Sequence, residues 1–267
     1  MKPQTAMHYA DNYLINPTNP ITVNLIGAGG TGSHVLTALS KMNYSLVSLG
    51  HAGLQVTLYD ADTVTPANKG RQLFADSEVG LHKSVALVNR VNRFFGTNWK
   101  AVAKPFNREL LRQFPNRGRA NIYITCVDTV AARLDIAAAL HDNSGSFFAE
   151  RDRGMYWMDM GNAKKTGQVI LSTIAAIQQP ESKIYRTVNY LPAVTEEFRE
   201  QLEMQFDSNE PSCSLAEALE KQDLFINPAL ADLGGSLLWN LFRNGMTSYR
   251  GFFLNLADFR SMPITVG

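Results

Sequence analysis

The sequence predicts an α/β fold with a doubly wound, mainly parallel sheet, helices on both faces and a mixed extension at the C-terminal end. Three observations support this class. Short apolar segments alternate with helix-like segments over the first two thirds of the 267 residues, a glycine-rich turn follows an apolar segment, and two apolar segments end in aspartate. A hydrophobic content of 45% is enough to bury a sizeable core.

The elements of the first two thirds follow from their periodicity. Residues 31–48 repeat apolar side chains at helical spacing, whereas the segment ITVNLIG is a short apolar run that stops at glycine. The same reasoning predicts strands at 21–27, 54–60, 100–106, 121–128, 155–161 and 167–174, and helices at 31–48, 78–95 and 129–142.

The alternation ends near residue 175. Residues 179–212 are polar and irregular, and we expect a short helix near 195–206 within them. The remaining segments predict helices at 214–221 and 228–244, and a closing pair of strands at 251–259 and 262–266.

The bulk composition argues against several classes of protein. A net charge of +1 gives no electrostatic case for binding nucleic acid or an anionic membrane. No apolar run approaches the ~20 residues of a membrane span. The first 20 residues lack the apolar region of a secretory signal, and the chain has only two cysteines, so we expect a cytoplasmic protein with reduced thiols.

The stretch NLIGAGGTGSHVL at 24–36 fits G-x-G-x-x-G between a strand and a helix. The first two glycines of such a motif permit a tight turn and close approach of the backbone to phosphate oxygens, and the third permits close helix packing. The helix N-terminus adds free N–H groups and partial positive charge. The predicted turn residues are Gly27, Gly29, Gly30 and Gly32.

Asp60 and Asp62 follow the second predicted strand. An acid at this position can accept hydrogen bonds from the ribose hydroxyls of an adenosine. Solvated turn acids are the alternative interpretation. A dinucleotide for redox chemistry and an ATP that is to be cleaved both suit the glycine turn and these acids.

Charged residues downstream favour ATP. Asn68, Arg71 and Lys83 follow the two acids closely. Hydride transfer needs no arginine and lysine here, whereas cleavage between the α- and β-phosphates builds negative charge on pyrophosphate that such cations offset. Asp128 ends the strand ITCVD, at the edge where open α/β sheets bind ligands, and its carboxylate could hold Mg²⁺ against the phosphates.

The segments GAGGTG, DADTVTPANKGRQ, VGLHK and TCVDTVAAR resemble the ThiF/MoeB/HesA family, the bacterial relatives of ubiquitin-activating enzymes, over roughly 21–175. In detail they most resemble the ThiF-like members of plasmid-borne PRTRC systems. The resemblance implies a Rossmann-like fold and an E1-like adenylyltransferase that uses ATP and Mg²⁺. Its partner would be a small ubiquitin-like or sulfur-carrier protein with a C-terminal glycine, and the enzyme would be a homodimer.

The resemblance also assigns roles to residues. The glycines would form the ATP turn, Asp62 would hold the ribose, and Asp128 would hold the metal. The attacking carboxylate is ionised at neutral pH, so no general base is needed. Asn68, Arg71 and Lys83 would line the triphosphate site. The single adenylation domain over 1–267 would comprise a nucleotide-binding core (21–175), an irregular crossover and cysteine segment (179–227), and a C-terminal helix with strands (228–267).

The chain departs from the family pattern in two respects. It lacks the two CxxC pairs that hold zinc in many relatives, so we expect no structural zinc. No arginine precedes Arg71, although many relatives donate one from the partner subunit. Either another group supplies that charge or the rate is lower, which leaves the homodimer open.

The two cysteines differ in context. Cys126 lies in an apolar strand and is expected to be structural. Cys213 precedes a predicted helix, whose N-terminus would favour a thiolate for thioester or persulfide chemistry; an incidental loop cysteine is the alternative. Two other functions stay open, a non-catalytic E1-like binding module and an NAD-dependent oxidoreductase. We find no plausible catalytic histidine or Tyr–Lys pair for the latter.

Overall fold

The computed structural model describes residues 4–114, 116, 118–143, 153–203 and 222–267. An eight-stranded sheet forms the centre of this part of the chain, and helices flank it. The strands are β1 (Ala6–Tyr9), β2 (Ile21–Ile26), β3 (Leu54–Tyr59), β4 (Lys100–Val102), β5 (Ile122–Thr125), β6 (Tyr156–Asn162), β7 (Thr166–Thr173), β8 (Arg186–Thr187), β9 (Met246–Thr247), β10 (Tyr249–Asn255) and β11 (Arg260–Thr265). The α-helices are α1 (Asn12–Ile15), α2 (Gly30–Ser48), α3 (Lys83–Phe95), α4 (Arg108–Gln113), α5 (Val130–Asn143), α6 (Val194–Glu197), α7 (Arg199–Glu203) and α8 (Ile226–Asn244).

The strand order of the main sheet is β11-β10-β7-β6-β5-β2-β3-β4. The five strands from β6 to β4 run parallel, and β7, β10 and β11 each run antiparallel to their neighbours. Ile26 pairs with Tyr59 on one side and with Thr125 on the other. The carboxyl ends of β2, β3 and β5 therefore lie level, and the loops that follow them open at one edge of the sheet.

Two hydrophobic clusters cover the two faces of the sheet. Helices α2, α3 and α8 contribute buried side chains to the larger cluster, whereas α4 to α7 contribute to the second. Leu36 and Leu39 of α2 are almost fully buried against the sheet. The mainly parallel sheet with helices on both faces confirms the predicted Rossmann-like class.

A second sheet has three strands in the order β8-β1-β9 and includes the N-terminal strand β1. His8 of β1 is buried, with its Nδ1 atom 2.7 Å from the Val188 carbonyl and its Nε2 atom 2.9 Å from the Tyr156 hydroxyl. Burial lowers the pKa of His8, because a charged ring is poorly solvated there. The His8–Tyr156 contact connects the small sheet to the main one.

Most predicted elements are confirmed to within a few residues, but two need correction. The helix predicted at 78–95 begins at Lys83, because Gly80 adopts a φ of +90° and His82 bridges to Thr63. The strand predicted at 100–106 ends at Val102. The helix near 195–206 is the pair α6 and α7, and residues 214–221 lie outside the described ranges. Within those ranges no helix is both long and apolar enough to span a bilayer.

Candidate functional site

A cleft of about 230 Å³ opens at the carboxyl ends of β2, β3, β5 and β6. It lies among the loops that follow the parallel strands, which is the usual ligand position in open α/β sheets. The predicted residues that line it are Gly27, Gly29, Gly30, Asp60, Asp62, Arg71, Lys83 and Asp128. The structure thus brings most of the proposed nucleotide site together.

The glycines of the turn differ in what a Cβ atom would meet at each position. Gly27 has a φ of +97°, and a Cβ there would lie 2.6 Å from the Cys126 carbonyl oxygen. A Cβ on Gly32 would lie 1.9 Å from the Gly27 carbonyl oxygen, so Gly32 permits packing within the turn. At Gly29, the residue preceding α2, a Cβ would meet no atom within 4 Å. Gly29 therefore leaves open space at the start of α2, where the helix N-terminus attracts an anion.

Asp60 and Asp62, the two acids after β3, make different contacts. Asp60 Oδ2 accepts the backbone N–H of Ala28 at 2.6 Å, and Asp60 Oδ1 accepts the backbone N–H of Asp62 at 2.8 Å. Burial raises the pKa of Asp60, and these hydrogen bonds act in the opposite direction. The Asp62 side chain is 70% exposed and contacts Lys83 Nζ at 2.9 Å. Asp60 thus braces the turn, and Asp62 is the acid accessible to a ligand.

Two cations face the cleft. Lys83 begins α3 with its side chain only 9% exposed, and its ammonium is directed towards Asp62. Arg71 donates from Nη1 to the side-chain oxygen of Gln222, while its Nε is buried and has no hydrogen-bond partner among the described residues. Burial lowers the pKa of Arg71, and the charge of Asp128 partly offsets that effect. Asp128 and Arg71 are therefore electrostatically coupled across the cleft.

Asp128 is exposed on the loop after β5. Arg133 of α5 holds that loop, because its Nη2 donates to the Val127 carbonyl at 3.1 Å. Its Nε donates to Asp159 Oδ1 at 2.8 Å, and Thr125 Oγ1 donates to the same oxygen at 2.7 Å. Arg133 and Asp159 are both nearly inaccessible to solvent. A buried ion pair thus fixes the backbone immediately before Asp128.

Sequence reasoning missed two amides from the C-terminal part of the chain. Asn227 Oδ1 accepts hydrogen bonds from Thr31 Oγ1 at 2.9 Å and from Asn162 Nδ2 at 2.5 Å. Its Nδ2 donates to Gln222 Oε1 at 3.0 Å. A Cβ on Gly30 would lie 2.5 Å from Asn227 Nδ2, so Gly30 makes room for this amide. No local pattern marks these residues, because nearly 200 positions separate Asn227 from the glycine turn.

Asn68 and Cys126 contribute no charge to the cleft. Asn68 is not among the residues that line the cleft; its Oδ1 accepts the Thr65 backbone N–H at 2.8 Å and caps the short turn Pro66–Asn68. Cys126 lines the cleft, but burial raises its pKa strongly, so it stays a neutral thiol. Cys213 lies outside the described residues.

Metal-ligand geometry gives no preformed site in the described part of the chain. Those residues contain no group of three or more histidine, cysteine, aspartate or glutamate side chains that could hold a metal ion. Asp128 is the carboxylate that the loop after β5 contributes to the cleft. Mg²⁺ commonly takes one or two carboxylates together with phosphate oxygens, so this donor fits a metal that arrives with a nucleotide.

Known proteins resemble this chain in sequence and in fold. The model of the ThiF family matches residues 18–255. The structure of selenomethionine PaaA superposes with a TM-score of 0.58 at 14% identity, covering 92% of this chain and 64% of PaaA. E. coli MccB superposes with a TM-score of 0.56 at 14% identity, covering 95% of this chain and 63% of MccB.

E. coli MccB with ATP superposes with a TM-score of 0.53 at 14% identity, covering 95% of this chain and 65% of that one. The chain therefore spans less than two thirds of the length of these proteins. No curated protein matches the sequence. At such low identity the structural similarity shows a shared fold.

Proposed function

The chain belongs to the ThiF family, and from this premise we propose that it adenylates the C-terminal carboxylate of a small ubiquitin-like or sulfur-carrier protein with ATP. Family membership and fold support E1-like adenylation chemistry in general. One observation carries the proposal to this chain. A single cleft holds an open glycine turn, an exposed acid at Asp62 and the two cations Arg71 and Lys83.

The described residues fit ATP at three points. The open space at Gly29 admits a phosphate at the N-terminus of α2. Asp62 projects into the cleft from the end of β3, where ribose hydroxyls are recognised in related folds. Within the described part of the chain the Nε donor of Arg71 is buried without a partner, so an anion would satisfy it. MccB has been crystallised with ATP, which shows that one protein of this fold accommodates that nucleotide.

The chemistry follows from the charges. The partner's carboxylate attacks the α-phosphorus of ATP, a new P–O bond forms, and the bond to pyrophosphate breaks. Negative charge grows on the leaving pyrophosphate, and Arg71 and Lys83 stabilise it because they are already oriented in a partly dry site. The attacking carboxylate is ionised at neutral pH, so no side chain need remove a proton.

Among the described residues, those that line the cleft carry more negative than positive charge. Three carboxylates, those of Asp60, Asp62 and Asp128, line it together with the cations Arg71 and Lys83. We propose that Asp128 would hold Mg²⁺, which would supply positive charge beside the phosphates. The family resemblance is our ground for proposing a homodimer; no arginine precedes Arg71 in either copy, so another group would have to supply the further cation that many relatives donate from there.

Two finer assignments rest on the sequence. We propose that the carrier is the ubiquitin-like protein of a PRTRC system, on the segments that resemble those members. We also propose that the Cys213 thiolate attacks the acyl adenylate, so that a thioester forms and AMP leaves. The raised pKa of Cys126, which keeps its thiol neutral, supports this choice between the two cysteines. Cys213→Ala should then abolish the thioester and leave adenylate formation intact; loss of both would refute that division of labour.

Pyrophosphate exchange tests the proposal directly. Purified protein is incubated with ATP, Mg²⁺, labelled pyrophosphate and the candidate carrier. Label should enter ATP only when the carrier has a free C-terminal glycine carboxylate, and a carrier with an amidated C-terminus is the matched control. Carrier binding without exchange would instead favour a non-catalytic E1-like module, and a nicotinamide signal in the purified protein would favour an oxidoreductase.

A further inference from the structure

We infer that the side-chain oxygen of Gln222 competes with a phosphate oxygen of the nucleotide for the same place on Arg71. The inference rests on the proposed function, because the phosphate is that of ATP. It adds a residue from the C-terminal part of the chain to the triphosphate site and locates one phosphate subsite between Arg71 and Asn227.

The contacts define a single acceptor between two donors. Gln222 Oε1 accepts a hydrogen bond from Arg71 Nη1 and another from Asn227 Nδ2, the latter at 3.0 Å. Asn227 is itself almost fully buried and accepts from Thr31 of the glycine turn at 2.9 Å. Gln222 is therefore held at the end of a fixed amide and lies within the cleft lining rather than on a free surface.

This arrangement satisfies the guanidinium poorly. A neutral amide oxygen engages one nitrogen of Arg71, and no described residue accepts a hydrogen bond from the buried Nε. In the described part of the chain, no carboxylate lies within ion-pair distance of Arg71. Guanidinium groups bind phosphate through two parallel charge-assisted hydrogen bonds, which are about twice as strong as neutral ones. Exchanging Gln222 for phosphate therefore gives Arg71 a better partner.

Two roles of Gln222, positioning Arg71 for phosphate or competing with phosphate for Arg71, predict opposite effects of mutating Gln222. If Gln222 holds Arg71 in its ligand-binding orientation, then removing the amide weakens phosphate binding. If Gln222 competes with phosphate for Arg71, then removing the amide strengthens it. A change from amide to carboxylate separates the roles further, because a negative charge beside Arg71 competes with phosphate more strongly than a neutral oxygen does.

Calorimetry with the full chain and inorganic tripolyphosphate tests the inference. We expect Gln222→Ala to bind tripolyphosphate several-fold tighter than the wild type, and Gln222→Glu to bind it roughly tenfold weaker, as expected for charge-assisted contacts. Adenosine, which has no phosphate, should bind all three proteins equally. Equal or weaker tripolyphosphate binding by Gln222→Ala overturns the inference.

Three controls keep the result interpretable. Gln55→Ala makes the same chemical change at an exposed glutamine that contacts Asn98, and it should leave tripolyphosphate affinity unchanged. In an Arg71→Met background, Gln222→Ala should have no effect, since the shared partner is gone; an undiminished effect would contradict the inference. Wild-type protein that binds neither ATP nor tripolyphosphate would refute the proposed function itself, whereas binding without the Gln222 effect refutes only the inference. Circular dichroism confirms that each variant is folded.

Discussion

Asp60 Oδ2 accepts the backbone N–H of Ala28 at 2.6 Å, so the acid that ends β3 holds the glycine turn that ends β2. The second oxygen of Asp60 accepts the backbone N–H of Asp62. Both oxygens of this buried carboxylate are thus occupied by the protein. The neighbouring Asp62 keeps its side chain largely exposed to the cleft. Asp60 therefore stabilises the backbone of the turn, whereas Asp62 is available to a ligand.

This difference predicts unequal effects of the same mutation. Asp60→Asn places an amide where two N–H donors point, so one donor loses its acceptor, and the free energy of unfolding should fall by about 1–3 kcal/mol. Asp62→Asn removes the charge from a part-buried contact to Lys83 but leaves an amide oxygen that can accept the same hydrogen bond, so it should cost less, roughly 0–1 kcal/mol. Urea denaturation measures both. Equal losses, or a larger loss for Asp62→Asn, would contradict the assignment.

Asp128→Ala should remove the Mg²⁺ dependence of pyrophosphate exchange without unfolding the protein, because the side chain is exposed and makes no described hydrogen bond. We expect exchange to fall at least about a hundredfold at saturating ATP, as for loss of a charged group that acts on transferring phosphate. Asp258→Ala, at a remote acid paired with Arg260, is the matched control and should exchange normally. Retained activity in Asp128→Ala would remove Asp128 from the metal site.

The buried Arg133–Asp159 pair predicts a strong energetic coupling. Arg133→Met should lower the free energy of unfolding by about 3–5 kcal/mol, because Asp159 is then buried without its counter-charge. The double variant Arg133→Met with Asp159→Leu should lose less than the sum of the two single variants. A double-mutant cycle by chemical denaturation provides the measurement, and strictly additive losses would show that the pair is not coupled.

His8 predicts a loss of stability in mild acid. Burial lowers its pKa below the usual 6.5, so the folded protein favours the neutral ring while the unfolded chain takes up a proton more readily. The contribution is fully present above pH 6.5 and is lost as the pH falls through the lower pKa of the folded state. Denaturation midpoints measured between pH 7.5 and pH 5 should therefore decrease.

His8→Gln is the matched variant for that experiment. A glutamine keeps a polar side chain near Val188 and Tyr156 but does not titrate, so the acid dependence should be smaller. Burial also lowers the pKa of His34, which lies near Asp232, and part of the dependence should therefore persist. An unchanged pH profile in His8→Gln would show that this ring does not control acid sensitivity.

Local patterns were sufficient to predict the central sheet and the glycine turn. The predicted 21–27 and 54–60 differ from β2 and β3 by one residue, because burial on both faces makes parallel strands continuously apolar. The start of α3 was harder to predict, since the 3₁₀ turn Asp76–Glu78 directly precedes it. The positive φ of Gly80 separates that turn from the helix. Short strands such as β8 and β9 carry too few residues for any periodicity.

The division between Asp60 and Asp62 was not predictable from their types, because it depends on which carboxylate meets the backbone of another loop. Gln222 and Asn227 present the same difficulty over a longer range. Amide side chains are common on surfaces, and only the folded chain shows that these two reach Arg71 and Thr31. The cations were identified because their charge suits phosphate, irrespective of their neighbours.

The close fit of Asn227 against Gly30 means that the nucleotide motif is not self-sufficient. A truncated protein that ended at residue 203 would retain every glycine, acid and cation named for ATP. It would nevertheless lack the amide that the Thr31 hydroxyl and Asn162 both engage, and it would lose α8 from the side of α2. The first and last quarters of the polypeptide must therefore be present together before the binding loop acquires its working shape.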